Sequence, residues 1–326
     1  MTKDAGVSDD ARSKTWTVLA LLRWTTGHFN DHGIPTPRLD AEVLLAHVLG
    51  VRRLDLYLKF EQPVMSAERA QYRELISRRV SERVPVSILV GEKEFWSRSF
   101  RVTSDVLTPR PDTETLVEAA LDRMVDADRA YRVLEIGTGS GAIALSLALE
   151  RPSAQITATD VSPEALQIAQ ENAEELQVGD SVVFLEGSLF EPVSEPLFDL
   201  IVSNPPYVAE KDSAKLPAEL KHEPAVALFG GMDGYRVLKP LAAEVAARLS
   251  PGGWVLLEMD PAQVETVAQW LADSGLSEVE TLRDLAGRER VVVARRPDPL
   301  AVQQEEEPNA LESQSANRGD SQEDVP

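Results

Sequence analysis

The residues best equipped for chemistry are Asn204-Pro205-Pro206-Tyr207, which end the mostly apolar run Phe198-Asp199-Leu200-Ile201-Val202-Ser203. Two successive prolines remove two backbone donors and fix φ at both positions. Pro206 also drives Pro205 into an extended conformation. The expected product is a stiff turn at a strand end that presents carbonyl oxygens, with an amide side chain before it and an aromatic ring after it. Such a turn accepts two hydrogen bonds from one –NH₂ group and stacks on its plane. That equipment suits the activation of a weakly nucleophilic amide or amino nitrogen.

A reacting nitrogen needs an electrophile, and a second motif points to its carrier. Gly137-Thr138-Gly139-Ser140-Gly141 lies between an apolar strand, Arg132–Ile136, and a helix beginning at Ala142. Glycines there permit a tight turn and a close approach of ligand to backbone, and the helix N-terminus offers free N–H groups. Asp160 ends the next strand, 23 residues after Gly137, where an acid can take both hydroxyls of a ribose. The spacing is G-x-G-x-G rather than the dinucleotide G-x-G-x-x-G. Glu135, two residues before Gly137, is ill placed beside a pyrophosphate but suits a cationic ligand; its rival reading is a structural cap. Together these features favour S-adenosylmethionine, which carries a sulfonium and an ammonium and no phosphate, over NAD.

Composition removes other classes. The chain has 326 residues and no cysteine, which excludes disulfides, thiolate metal sites and a cysteine nucleophile and fits a cytoplasmic location. Its polar N-terminus is unlike a secretory signal, and no apolar run reaches the ~18–20 residues of a membrane span. Of four histidines only His28 and His32 are paired, at i, i+4; they read as surface residues, and no metal is expected. The net charge is −21; residues 297–326, with eight acids and one base, carry −7 of it and residues 1–296 the other −14. An acidic body argues against a phosphate-backbone binder.

The elements that must hold these motifs follow from periodicity. Residues 1–12 read as disordered. Residues 13–84 read as an N-terminal helical-bundle domain, with helices near Thr17–Trp24, Leu39–Leu49 and Ala67–Val80. Residues 85–110 read as a β-hairpin linker, in which Ser87–Val90 has strand composition. In Thr108-Pro-Arg-Pro-Asp-Thr-Glu114, Asp112 or Thr113 is placed to cap a helix over Leu116–Val125. Residues 111–296 alternate strand and helix: strands at 132–136, 155–159, 182–185, 200–203, 254–258, 279–282 and 290–294, helices at 142–150, 163–176, 235–249 and 262–274. This predicts an α/β fold, a seven-stranded, doubly wound, Rossmann-like sheet, mostly parallel and closed by an antiparallel hairpin. Residues 297–326 read as an acidic disordered tail.

Residues 131–296 resemble the class I S-adenosylmethionine-dependent methyltransferases. Residues 13–296 resemble the release factor glutamine methyltransferase (PrmC/HemK) family, the protein N5-glutamine methyltransferases. The likeness rests on Arg38-Leu-Asp-Ala-Glu42, Thr108–Glu114, Gly137–Gly141, Asn204–Tyr207, Glu223-Pro-Ala-Val-Ala-Leu-Phe-Gly-Gly231 with Asp233-Gly234, and Gly287-Arg-Glu-Arg290. Asn-Pro-Pro-Tyr alone is shared with nucleic-acid amino methyltransferases; the upstream Pro-Arg-Pro-Asp-Thr-Glu separates this chain from them and from the sister enzymes that methylate a ribosomal protein.

The resemblance implies roles. Gly137, Thr138, Gly139, Ser140 and Gly141 would wrap the methionine and ribose of S-adenosyl-L-methionine, with S-adenosyl-L-homocysteine as product. Asp160 would hold the ribose, and Ser188 and Leu189 would line the adenine pocket, where the family often has Asp-Trp. The substrate would be the glutamine of the Gly-Gly-Gln tripeptide in class I peptide-chain release factors. Asn204 Oδ1 and the Pro205 carbonyl would accept its two N–H bonds, with Pro206 stiffening the turn and Tyr207 stacking on the amide plane. Residues 13–84 would dock the release factor, residues 223–234 would form a flap, and the enzyme would act as a monomer on neither membrane nor nucleic acid.

Overall fold

The computed structural model describes residues 15–193 and 197–299, so the expected disorder of residues 1–12 and nearly all of the acidic tail lie outside the described residues. The chain divides into two compact units. Among the described residues, one comprises 15–91 with 218–222 and the other 92–193, 197–217 and 223–299.

The first unit is helical: α1 (Val18–Asp31), α2 (Pro37–Leu49), α3 (Asp55–Leu58), α4 (Ser66–Ser81) and α5 (Val86–Val90). Thr17 caps α1 by accepting from the Ala20 amide at 3.2 Å. Pro37 opens α2 at a position where the missing N–H costs nothing, and Gly50 closes it at φ 61°. Phe29, Leu44, Leu45, Leu56, Tyr72 and Ile76 form the core. Within it Arg79 is buried between Asp40 at 2.9 Å and Glu219 at 3.0 Å.

Residues 86–90 correct the expected strand. Their β-branched composition reads as extended, yet they make one helical turn between Pro85 and the left-handed Gly91 (φ 81°). Leu89 is buried, and Val86, Ile88 and Val90 pack on the same core, so burial overrides propensity. The hairpin is confined to β1 (Glu92–Phe95) and β2 (Arg98–Arg101).

The second unit continues with α6 (Glu114–Arg123), β3 (Arg132–Ile136), α7 (Ala142–Glu150), β4 (Gln155–Asp160), α8 (Pro163–Glu175), β5 (Val182–Glu186), β6 (Phe198–Ser203), α9 (Ala225–Leu228), α10 (Leu238–Arg248), β7 (Leu249–Glu258), α11 (Val264–Asp273), β8 (Ser277–Arg283) and β9 (Glu289–Arg295). Strand order is β5-β4-β3-β6-β7-β9-β8, with β9 antiparallel to both its neighbours and the rest parallel. This is the expected seven-stranded doubly wound sheet. Alternation along the strands buries both faces. Val133, Leu200, Val202 and Leu256 pack with Leu116 and Val117 of α6 and Leu145 of α7, whereas Leu134, Ile201, Val255 and Leu257 pack with Leu241 of α10 and Val267 of α11.

The chain runs from β3 outward through β4 to β5, then returns to place β6 on the other side of β3. A crevice outside the carboxyl ends of strands is expected where the winding reverses. Both motifs sit there: Gly137 follows β3, Asp160 ends β4, and Asn204 follows β6.

Candidate active site

The glycine turn is held from beneath. Gly137, Gly139 and Gly141 have φ of 75°, 55° and 82°, a region that favours glycine. A Cβ on Gly141 would lie 2.9 Å from Leu145 Cδ1, so the turn packs tightly on α7 there, whereas Gly137 and Gly139 would meet nothing within 4 Å. Glu135 is buried under the turn, where its Oε2 accepts from the Thr138 hydroxyl at 2.7 Å and the Ala144 amide at 3.0 Å. Burial pushes its carboxyl up to about 8, against those two hydrogen bonds. It is therefore a brace for the loop, the structural alternative for this residue, and it is not on the wall of the cavity above. Asn172 completes the support: its amide donates to the Ser140 carbonyl at 2.8 Å and accepts from the Arg101 amide at 2.7 Å.

Asp160 reaches across from β4. Its Oδ2 accepts from the Gly139 amide at 2.8 Å and its Oδ1 from the Ser162 amide at 3.0 Å. Burial pushes this carboxyl up, opposed by those backbone donors. The carboxylate is thus fixed in place with lone pairs to spare for hydroxyl donors.

Above these groups lies a cavity of about 510 Å³, within the range of small-molecule sites. Gly137, Gly139, Asp160, Ser188, Leu189, Asn204, Pro205 and Pro206 all line it. The structure thus brings together eight of the residues singled out in the sequence, from both motifs. Thr138, Ser140, Gly141 and Tyr207 do not line it. Asp105, Val106 and Leu107, from the stretch after β2, line it too, and no motif announces them.

The Asn-Pro-Pro-Tyr turn is clamped by residues 223–236. The Val208 amide donates to the Leu228 carbonyl and the Gly230 amide to the Val208 carbonyl. Pro224, Val226 and Ala227 reach the cavity wall. Arg110 anchors this stretch through Glu223 at 2.5 Å, which ties the Pro-Arg-Pro-Asp-Thr-Glu segment to it. Tyr207 packs, partly buried, against the core next to the turn. Burial pushes its phenol up to about 12, and Glu258 adds to the effect.

Thr113 corrects an expectation. It holds the N-cap position of α6, but no side-chain cap bond forms. Its hydroxyl instead accepts from Asn204 Nδ2 at 3.1 Å, and Asp112 is engaged with Arg288 at 2.7 Å. Behind Thr113 lies Glu258, the last residue of β7, buried and pushed up to about 7 by desolvation. Its one sequence signal is a carboxylate closing the apolar run Trp254–Leu257.

Comparison with known proteins bears on this geometry. Residues 20–91 match the model of the PrmC N-terminal domain, and residues 113–229 match that of the methyltransferase small domain. The release factor glutamine methyltransferase of Rhodopirellula baltica is 41% identical over 293 residues, covering 88% of this chain and 98% of that protein. That of Deinococcus radiodurans is 45% identical over 278 residues, covering 85% and 97%. The chain belongs to the release factor glutamine methyltransferase family. Among solved structures, the hMettl16 catalytic domain in complex with MAT2A 3'UTR hairpin 6 matches with a TM-score of 0.50 at 15% identity, over 71% of this chain and 82% of that one, a likeness of fold alone.

Ser188 and Leu189 lie on the cavity wall with the glycine turn and the Asn-Pro-Pro turn. Leu189 is held at φ 49°, an unusual conformation for a branched side chain. Among the described residues no cluster of three or more His, Cys, Asp or Glu is arranged as a metal site, and no helix is long and apolar enough to cross a membrane.

Proposed function

We propose that this protein methylates the side-chain amide nitrogen, N5, of the glutamine in the Gly-Gly-Gln tripeptide of class I peptide-chain release factors, with S-adenosyl-L-methionine as donor. The observation that carries this reading is the meeting of Asn204, Pro205 and Pro206 with Gly137, Gly139 and Asp160 on one cavity wall. The donor side fits the cofactor: two glycines with open space above them, and a fixed carboxylate at the end of β4. Held by the glycine turn and Asp160, the cofactor would supply an electrophilic methyl carbon on a sulfonium, with S-adenosyl-L-homocysteine as the leaving group.

The protein's own task is to make a poor nucleophile react. An amide nitrogen delocalises its lone pair into the carbonyl. Accepting both of its N–H bonds at Asn204 Oδ1 and the Pro205 carbonyl raises electron density on nitrogen and turns the lone pair toward the methyl carbon. Positioning and electrostatics supply most of the acceleration. The nitrogen sheds its proton late, so no strong base is needed. Tyr207 is assigned to the amide plane, which it would approach from beside the turn rather than from the cavity wall, residues 223–234 to covering the substrate, and the helical unit to docking the release factor. Ser188 and Leu189 are assigned to the adenine ring, Thr138 and Ser140 to shaping the turn. The reading requires one copy of the chain, no metal, no membrane and no nucleic acid, and a translation factor as substrate places the enzyme in the cytoplasm.

The test is transfer of labelled methyl from S-adenosylmethionine to purified release factor, with RNA and DNA offered separately. Label on the Gly-Gly-Gln glutamine is expected. Label on nucleic acid and none on release factor would overturn the reading.

A further inference from the structure

We propose that Arg110 and Glu223 are positioning residues whose ion pair holds residues 224–227 on the cavity wall and so sets how the acceptor amide is enclosed. Neither lines the cavity, but each borders residues that do. Asp105, Val106 and Leu107 precede Arg110 on the wall, and Pro224, Val226 and Ala227 follow Glu223. The inference rests on the proposed glutamine methylation for the identity of the acceptor.

These two segments have little regular structure of their own. No helix or strand spans residues 102–110. Residues 223–230 hold one helical turn, α9, and a single bridge from Phe229 to Val208. Such a stretch depends on the ties at its ends. At the far end the Val208 amide donates to the Leu228 carbonyl at 3.0 Å, and the Gly230 amide to the Val208 carbonyl at 2.9 Å. At the near end Arg110 Nη2 donates to Glu223 Oε2 at 2.5 Å. Residues 218–222 belong to the helical unit, so the ion pair fastens the stretch at the residue where the chain re-enters the second unit. Prolines carry the placement onward. Pro109 and Pro111 flank Arg110, and Pro224, at φ −67°, follows Glu223. A fixed φ on each side leaves the backbone little freedom between the ion pair and the wall residues.

Burial makes the pair asymmetric. The Glu223 side chain is 1% exposed and that of Arg110 35%. A carboxylate so deep is tolerated only with a cation beside it. Removing Arg110 alone strands that charge, which is the costly way to break a buried pair. The stretch lies outside the seven-stranded sheet, so the least costly relief is local. Glu223 moves out to water and takes Pro224, Val226 and Ala227 off the wall with it. Replacing both residues by glutamine removes the charge together with its partner and leaves two amides that can still hydrogen-bond. The ion pair therefore predicts an order: losing Arg110 alone does more harm than losing both.

The experiment compares wild type, Arg110→Gln, Arg110→Lys and the double variant Arg110→Gln/Glu223→Gln in steady-state methylation of release factor, with cofactor affinity measured by calorimetry. The chain has no cysteine, so Leu228→Cys, placed in each background, gives a single thiol in the stretch. Leu228 is buried, and the rate at which a thiol reagent labels that position reports how often the stretch opens. Arg110→Gln should raise the labelling rate roughly tenfold or more, the scale of a stranded buried charge. It should lower kcat/KM for release factor by roughly ten- to a hundredfold, with cofactor affinity within a few-fold of wild type. Arg110→Lys keeps the cation and should retain most of the wild-type behaviour. The double variant should label more slowly and turn over faster than Arg110→Gln. Wild-type labelling and turnover in Arg110→Gln would overturn the proposal. So would a double variant no better than Arg110→Gln, because the two residues would then act separately. So would a rise in labelling fully accounted for by a lower melting temperature, which would make the pair a support of the whole fold. If wild type leaves release factor unmethylated, the proposed function fails, while the labelling rates still decide whether Arg110 and Glu223 hold the stretch.

Discussion

Gln263 Nε2 donates at once to the Tyr207 carbonyl, at 3.2 Å, and to the Gly234 carbonyl, at 3.1 Å. One buried amide thus joins the exit of the Asn-Pro-Pro-Tyr turn to the stretch that covers it. Gly230 sits so close to the same turn that a Cβ there would lie 2.5 Å from both the Pro206 and Gly234 carbonyl oxygens. Only backbone could give way, and that backbone belongs to Gly234 and to the Asn-Pro-Pro-Tyr turn.

Gly230→Ala should therefore damage catalysis more than folding. Its φ is not positive, so alanine brings no backbone strain of its own. The clash instead displaces the Pro206 carbonyl and with it the acceptors on either side. A displacement of about 1 Å at such a site can cost on the order of a hundredfold in rate. The expected outcome is a kcat lowered tenfold to roughly a hundredfold, with melting temperature changed by only a few degrees. Steady-state kinetics beside differential scanning fluorimetry checks it; an unchanged kcat would show that the turn accommodates the methyl without moving.

Asn204→Ala tests the acceptor more directly. Removing the side chain deletes Oδ1 and leaves the Thr113 hydroxyl without its partner, while the glycine turn and Asp160 are untouched. Cofactor affinity should stay within a few-fold of wild type. Turnover should drop on the order of 10²–10³-fold, the range seen when one positioned charge-stabilising group is lost. Calorimetry and single-turnover methylation separate the two effects, and a variant that turns over normally would remove Asn204 from the reaction.

Asp160→Ala should do the reverse. Its carboxylate holds the Gly139 amide at 2.8 Å and lines the cavity. Losing it removes a ligand contact and frees the glycine turn. Cofactor affinity should weaken by roughly ten- to a hundredfold, about 1.4 kcal/mol for each factor of ten. At saturating cofactor kcat should recover most of its wild-type value. A persistent kcat defect with normal affinity would contradict this division of labour.

The contrast between Asn204 and Thr113 shows how far the sequence carries. Strand ends are legible because apolar alternation stops sharply at Ile136, Asp160 and Ser203, and motifs placed at those ends must converge in a doubly wound sheet. The glycine turn and the Pro-Pro turn carry backbone constraints that survive any context. Thr113 does not. A threonine before a helix reads as a cap, and only the tertiary approach of β6, 91 residues later, gives its hydroxyl another partner. Glu135 is a similar case: its charge suggests a ligand contact, but which way it points depends on how α7 packs. The strand composition of residues 86–90 misleads for the converse reason, since a helical core absorbs β-branched residues in one turn.

The two buried carboxyls make stability itself depend on pH. Burial holds Glu135 at about 8 and Glu258 at about 7 in the folded chain, against an ordinary value of 4.5. Below 4.5 both folded and unfolded states are protonated, and burial of these groups carries no electrostatic penalty. As pH rises from about 4.5 to 8, the unfolded chain releases the Glu135 proton while the folded chain keeps it, so unfolding becomes progressively easier. Above about 8 the penalty is complete. Glu135→Gln abolishes this titration and keeps an oxygen to accept from the Ala144 amide. Measured by thermal denaturation at several pH values, the variant should gain stability relative to wild type as pH rises from 5 to 8. The gain should reach on the order of a few kcal/mol at the upper end, since each tenfold difference in proton affinity between folded and unfolded chain is worth about 1.4 kcal/mol. Glu258 titrates in both proteins and cancels from the difference. Parallel stability curves for variant and wild type would show that Glu135 is ionised in the folded chain at neutral pH.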